Sequence, residues 1–421
     1  MSESQESLHQ AFTPSSKTPP VPINPDVDFI RSLSKANGNT FKLCMQCGTC
    51  SVACAVSPER APFPRKEMIW AQWGLKDRLL ADPDIWWCHQ CNDCSTKCPR
   101  GAKPGDVLHT IRQETVRYYS VPGFLGRWIG QMNIVPLLLF PVVLLVLALL
   151  LRDPLWASGQ SVLSYLHHEG FYAELFPHWL LIGFYSFFWG LALIGGVMGS
   201  VRYWKAMKAA DEASGSTLPE TGAISSWIRT IKSILIHDRF AKCTSEASRR
   251  TAHLGAFYGF LILFIVSVWA VVALYMINPI IPGHDRDLIY PFAIWNPWKI
   301  LANLGGIALI AGCVLAIRKR RRKEEDAPAS SSFDWLFLYL LLIVGITGLL
   351  TETFRYVAEY GSVAETLKYI AYSVYFIHLV AVFDLLVYLP YSKLAHVLYR
   401  TIALVYAEYS GRSQKILQPS A

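Results

Sequence analysis

Residues 44–54 read CMQCGTCSVAC, and residues 88–99 read CHQCNDCSTKCP. Each stretch carries the spacing C-x2-C-x2-C-x3-C, and Pro99 follows the second. In such runs the first three thiolates wrap one corner of a cubane and the fourth reaches across to the other cluster. The spacing therefore predicts one [4Fe–4S] cluster on Cys44, Cys47, Cys50 and Cys98, and a second on Cys88, Cys91, Cys94 and Cys54. Gly48 suits a crowded loop whose backbone passes close to sulfide. Zinc is the plainer alternative, since C-x2-C pairs also bind it. Two pairs would satisfy zinc, however, and would leave the third and fourth cysteines of each run without a purpose. No secretory signal precedes the runs, so a disulfide framework is not expected. Of the two isolated cysteines, Cys313 sits in an apolar run and reads as a small core residue.

Working outward, about 33 residues separate the runs, more than in a compact bacterial ferredoxin. Pro64 opens a segment, Arg65 to Leu80, whose Ile69, Trp73, Leu79 and Leu80 suit an amphipathic helix. A second helix is expected at 105–119. The fold class is therefore all-α: a helical two-cluster ferredoxin domain over residues 28–120. Residues 1–27 read as a disordered, polar leader with no signal-peptide core.

Beyond residue 121 the composition turns apolar. The chain of 421 residues is 52% hydrophobic and 17% charged, against about 25% charged in soluble domains. Six spans are expected over 121–405: about 134–151, 176–201, 253–277, 299–318, 334–352, and a sixth from 368 through Pro390 to about 397. Each approaches the roughly 20 residues that cross a bilayer. A cytoplasmic tail, 406–421, is expected to follow. The net charge of +8 comes from basic residues at the ends of apolar runs, so it reads as topology and not as nucleic-acid binding. The run Arg318–Lys323 and the basic loop 202–250 put those loops, both termini and the cysteine domain in the cytoplasm by the positive-inside bias.

Ionisable groups inside spans are costly and functional by default. His253 opens the third span, and His378 and His396 fall in the sixth. If one helix carries both, their separation of 18 residues is five turns, placing them on one face about 27 Å apart. That arrangement suits two stacked b-haems. His253 and His396 match in depth and are expected to hold the inner haem. His378 is expected to hold the outer one, with His178 as its second ligand and His284 as a fallback. Gly255 and Gly259 would admit a porphyrin or serve helix packing. His167, His168 and His237 read as surface residues. For quinone and proton exchange the candidates are Asp384, between the two histidines, and Glu352 with Arg355, three residues apart. Lys299 reads as an interfacial anchor.

The cysteine domain resembles the C subunit of heterodisulfide reductase, a helical ferredoxin. The membrane part, through RRTAHLGAFYGF at 249–260 and the stretch from His378 to LPYSKLAH at 389–396, resembles two cytochromes: the E subunit of heterodisulfide reductase and the cytochrome b of respiratory nitrate reductase. The latter resemblance implies His253 and His396 on the inner haem and His378 on the outer. It also implies a second histidine ten residues after His253, where Leu263 stands instead. The fusion of both parts is similar to the family of the membrane C subunit of quinone-interacting membrane-bound oxidoreductases. That likeness implies menaquinone, soluble flavin and iron–sulfur partners related to the A subunit of heterodisulfide reductase, and a link to adenylylsulfate reductase. The membrane subunit of a sulfite-reduction-associated complex is similar in architecture.

The expected function is electron transfer between quinone and soluble partners. No G-x-G-x-x-G fingerprint, P-loop or tandem Cys-Cys-Gly motif occurs, so substrate chemistry is expected in other subunits. A zinc-binding membrane scaffold and a proton-coupled transporter are the rivals. Neither explains eight cysteines at cluster spacing.

Overall fold

The computed structural model describes residues 24–37, 39–130, 134–159, 171–215, 221–241, 247–277, 292–322, 332–360 and 365–413. Every regular element among them is helical, with no strand. The helices used below are α1 (Val27–Asn37), α2 (Arg65–Gln72), α3 (Pro104–Tyr119), α4 (Ile134–Gly159), α5 (His178–Ala213), α6 (Ala223–Ile236), α7 (Ala247–Val272), α8 (Pro297–Arg321), α9 (Ser332–Tyr360), α10 (Glu365–Val387) and α11 (Ala395–Tyr409). His167, His168, Cys243 and His284, and the leader up to residue 23, lie outside the described residues.

Local chemistry sets the helix ends. Pro104 and Pro297 occupy first-turn positions, where the missing N–H costs nothing. The Asn296 side chain accepts from the Trp298 amide at 2.9 Å and caps α8. The same helix closes on Arg318, Lys319, Arg320 and Arg321, cations that complement its dipole.

Five helices are long and apolar enough to cross a membrane: α5, α7 with its continuation to Ile277, α8, α9 and α10. The first expected span, α4, contributes a shorter apolar stretch, Val135–Leu151. The expected sixth span is not one helix. α10 stops at Val387, a short 3-10 turn covers Leu389–Tyr391, and α11 starts afresh at Ala395. Pro390 is the cause, since it offers no N–H and its ring crowds the preceding turn. His378 and His396 therefore lie on different helices, and the shared face and 27 Å separation of a continuous helix do not hold.

α7 and α8 pack backbone to backbone. A Cβ at Gly259 would come within 2.5 Å of the Leu309 nitrogen and 2.7 Å of the Gly305 oxygen. One at Gly255 would meet the Ala308 oxygen at 3.1 Å. These glycines serve helix packing, and the space the sequence reading offers to a porphyrin is filled by α8.

The cysteine domain and the helical bundle share one core. Phe29, Leu33, Phe41 and Leu108 belong to the same buried cluster as Tyr203 and Met207 of α5 and Tyr399, Ala403 and Ala407 of α11. Trp86 stacks on Tyr399 with ring centroids 6.2 Å apart. The helix α11 runs to Tyr409, and Arg412 beyond it reaches Asp84 at 2.9 Å. The first part of the stretch expected as a tail is thus packed onto the ferredoxin domain.

Replacing Gly259 by Leu should abolish the α7–α8 contact and lower the thermal midpoint in detergent by many degrees. Gly190→Leu, where a Cβ meets nothing within 4 Å, should leave it nearly unchanged.

Candidate functional site

The eight clustered cysteines form two cradles. Cys44, Cys47, Cys50 and Cys98 line one cavity, and Cys54, Cys88, Cys91 and Cys94 line the other. Each takes three sulfurs from one run and one from the other. The backbone bends for this. Gly48, Gln46, Gln90 and Asn92 all adopt positive φ, a conformation glycine takes freely and asparagine more readily than most. Burial pushes the Cys50 thiol up to about 11 and the Cys54 thiol up to about 12. Such thiols stay protonated unless a metal centre takes the charge.

The cradles are too wide for zinc. Four thiolates on one zinc at about 2.3 Å lie within about 3.8 Å of one another. Among the described residues, the one group of three ligand-type side chains with atoms within 4.8 Å of one another is Glu67, Asp82 and Asp84, and it contains no cysteine. Wider spacing around a cavity fits a cubane, whose irons hold the cysteines apart.

The carboxylates of that group are already engaged. Lys66 Nζ lies 3.0 Å from Glu67, 2.7 Å from Asp82 and 2.6 Å from Asp84. Burial works against the Lys66 charge, but Asp82, Asp84 and Glu67 hold its pKa well above the ordinary lysine value. Burial pushes Glu67 well above the usual carboxylate range. Arg412 bridges Asp84 to Asp211 at the end of α5. This network is a structural clamp.

The second cradle faces the histidines. His89 follows Cys88 directly, and its ring meets Phe240 edge-on at 4.9 Å between centroids. Phe240 in turn stacks on His253 at 5.6 Å. Arg400 of α11 lies 2.9 Å from His89 Nε2, and Arg249 donates to the Gln90 carbonyl at 2.7 Å. The first cradle lies away from this side, with Cys47 exposed.

His253, near the start of α7, and His396, near the start of α11, both lie at this end of the bundle, His253 against Phe240 and His396 one turn before Arg400. His396 Nδ1 donates to the Lys393 carbonyl at 2.6 Å. Burial lowers its pKa to about 4, so the ring is neutral with Nε2 as its lone pair. The sequence reading places His237 on the surface, but it is buried and its Nε2 lies 3.1 Å from His253 Nδ1. His237 Nδ1 faces the Leu235 carbonyl at 3.1 Å, which can only accept. A neutral His237 therefore accepts the His253 Nδ1 proton, leaving His253 Nε2 as a ligand nitrogen. Two imidazoles presenting Nε2, each fixed by a hydrogen bond at Nδ1, are a donor set that fits haem iron. No linear spacing links His237 to His253, because a segment between two helices brings it there.

The outer candidates are more dispersed. His378 Nδ1 lies 2.9 Å from Thr347 Oγ1, so its ring is held toward α9. His178 begins α5, and α5 packs against α10 through Phe184 and Tyr185 on Phe383. The two histidines thus sit on elements that meet through other residues. Glu352 pairs with Lys299 at 2.9 Å and accepts from Asn303 at 3.1 Å. Arg355 reaches the Phe292 carbonyl and lies 4.5 Å from the Tyr356 ring. The expected Glu352–Arg355 pair is therefore replaced by Glu352–Lys299, a contact across helices. Asp384 is 4% exposed, and neither carboxyl oxygen has a hydrogen-bond partner among the described residues.

Residues 131–416, about two thirds of the chain, match the family described as citrate utilization protein B. The chain belongs to the citrate utilization protein B family. Its likeness to the family member of Escherichia coli is 26% identity over 383 residues, covering 87% of this chain and 89% of that one. Residues 40–102 match a 4Fe–4S dicluster domain. The same region is similar to the C subunit of the H(2):CoB-CoM heterodisulfide, ferredoxin reductase of Methanothermobacter marburgensis, at 37% identity over 95 residues. That match covers 22% of this chain and 51% of the relative. A protein of Archaeoglobus profundus, described as like the C subunit of heterodisulfide reductase, is 37% identical over 79 residues, 18% of this chain and 42% of that one. The chain spans about half the length of these heterodisulfide reductase relatives. No solved structure matches. The membrane part thus matches citrate utilization protein B, where the sequence reading names cytochromes of nitrate and heterodisulfide reductases. This family member carries a helical iron–sulfur domain fused to apolar helices long enough for a membrane.

Chain purified without oxygen should hold roughly eight non-haem irons, four for each of two cubanes, and no stoichiometric zinc. Cys54→Ser should alter the paramagnetic spectrum of the cluster on Cys88, Cys91 and Cys94, and Cys98→Ser that of the other.

Proposed function

We propose that this protein is the membrane electron-transfer subunit of a quinone-linked oxidoreductase complex, passing electrons between menaquinone and soluble flavin and iron–sulfur partners. The observation that carries this reading is the continuous line of rings from Cys88 through His89 and Phe240 to His253, with gaps of 4.9 and 5.6 Å between centroids. Two [4Fe–4S] clusters and haem b, when bound, supply the one-electron sites. The chain's own residues order them. Cys54, Cys88, Cys91 and Cys94 hold the cluster nearer the bundle, and Cys44, Cys47, Cys50 and Cys98 hold the one nearer solvent. His253 and His396 are the inner haem ligands, with His237 fixing the tautomer of His253. His378 is the outer ligand and His178 its proposed partner.

Quinone chemistry also moves protons. A carboxyl inside a span without a hydrogen-bond partner is costly unless it is used, so Asp384 is the proposed proton carrier. Glu352, held by Lys299 and Asn303, is a second candidate at the far end, with Arg355 beside it. The end of the bundle that carries Arg318–Arg321 and the ferredoxin domain is proposed to face the cytoplasm of an inner membrane.

Adenylylsulfate reductase is one candidate for the soluble enzyme served. The similarity to a citrate utilization protein, which covers 87% of this chain, favours a second, an enzyme of citrate use. In either case the chain is the electron carrier, and the substrate chemistry lies in its partners.

The test is a dithionite-reduced spectrum with haem quantified per chain, followed by anaerobic reduction with a menaquinol analogue. A b-type spectrum that disappears in His396→Ala and His253→Ala, with iron and sulfide retained, is expected. Clusters without any b-type spectrum would overturn the haem assignment. His237→Phe should keep the haem but raise its midpoint potential, because His253 loses the acceptor that makes it a more basic ligand. His378→Ala should lower the haem count from two to one.

A further inference from the structure

One cavity lies outside the bundle. It is an open groove of ≈ 1240 Å³ on the ferredoxin domain, and Cys47, Gly48 and Thr49 line both it and the cradle of Cys44, Cys47, Cys50 and Cys98. Its walls carry Arg60, Arg65, Lys66, Lys97 and Arg412 and no carboxylate. Lys66 and Arg412 are neutralised by the clamp of Asp82, Asp84 and Asp211. Arg60, Arg65 and Lys97 have no ion-pair partner among the described residues, and Arg65 and Lys97 are exposed. Beside them stand exposed apolar side chains, with Val52 at 91% and Met45 at 62%.

An apolar patch with a rim of one charge over a redox centre has the anatomy of a transient electron-transfer interface. We propose that this groove is the docking surface for a soluble electron-transfer protein whose own redox centre is ringed by acidic residues. The proposal rests on the electron-transfer reading above and adds the exit and the partner's chemistry. The opposite face of the domain is closed to such a partner. There Trp86 packs on Tyr399, Arg249 holds Gln90 and Arg400 holds His89. A partner able to exchange electrons with the domain must therefore meet it at the Cys47 side. Each encounter moves one electron between the cluster and the partner's centre, from whichever is reduced to whichever is oxidised, with no proton and no covalent bond.

Oxidised plastocyanin and cytochrome c serve as probes, being one-electron acceptors with an acidic and a basic face. Reduced, cluster-loaded chain in detergent is mixed with each by stopped flow across a range of salt. Plastocyanin should be reduced faster at low salt, with a rate that falls as salt rises. The double variant Arg60→Glu/Lys97→Glu should slow it about tenfold or more and flatten or invert the salt dependence, while cytochrome c is reduced no more slowly. Arg60→Gln alone, a milder change farther from the ligand cysteines, should give a smaller loss of the same kind. Iron content and visible spectrum identify any variant that has lost a cluster. Unchanged plastocyanin rates and salt slopes in cluster-loaded variants would overturn the docking proposal. So would equal losses toward both acceptors. Failure of the wild-type chain to reduce either acceptor would instead overturn the electron-transfer reading.

Discussion

Two cations, Lys66 and Arg412, lie among four carboxylates where the ferredoxin domain meets the helical bundle, and the arrangement of the whole molecule depends on them. Glu67, Asp82 and Asp84 come from the cysteine domain, Asp211 from the end of α5, and Arg412 from beyond α11. Removing one partner of a buried pair costs about 3–5 kcal/mol, because the remaining charge is stranded. The clamp therefore does more than add attraction: it penalises any separation of the three segments. Burial raises Glu67 well above the usual carboxylate range, which favours its protonated form and so a smaller excess of negative charge. Around the clamp, stacked Trp86 and Tyr399 and a shared apolar core fill the remaining contact.

This rigid seam is what gives the two cradles different surroundings. One is held against the helix ends that carry His253 and His396, behind His89 and Phe240. The other is turned outward, with Cys47 at the surface. A freely tethered domain would present either cradle to either side. Fixing the domain turns a symmetric pair of cysteine runs into a directional pair of sites.

Much of this was legible in the sequence because the relevant chemistry is local. Cysteine spacing expresses the reach of a few residues around one centre, and apolar runs express bilayer thickness. The gathering of three cysteines from one run with one from the other follows from the same spacing. What was not legible depends on long-range packing. His237 reads as a surface residue, yet the segment between α6 and α7 turns it onto His253. Glu352 has Arg355 one turn away but pairs with Lys299 on a neighbouring helix. Gly255 and Gly259 are as suited to a flat ligand as to a helix, and only the approach of α8 decides between them. At Pro390 the chain breaks the expected span and starts a new helix that packs on the ferredoxin domain. Hydropathy read that helix as a continuation of the span because its residues are apolar. Their apolarity serves a protein core instead.

The break at Pro390 also bears on the order of assembly. His396, Arg400 and Arg412 are translated after the five helices long and apolar enough to cross a membrane among the described residues, whereas the cysteine runs precede those helices. The ferredoxin domain can thus be made and loaded with iron while its seat does not yet exist. It can be closed onto the bundle only once α10 and α11 have both been made. A chain stalled or truncated before residue 395 would carry complete cysteine runs and all the apolar spans, yet lack the helix that joins one to the other.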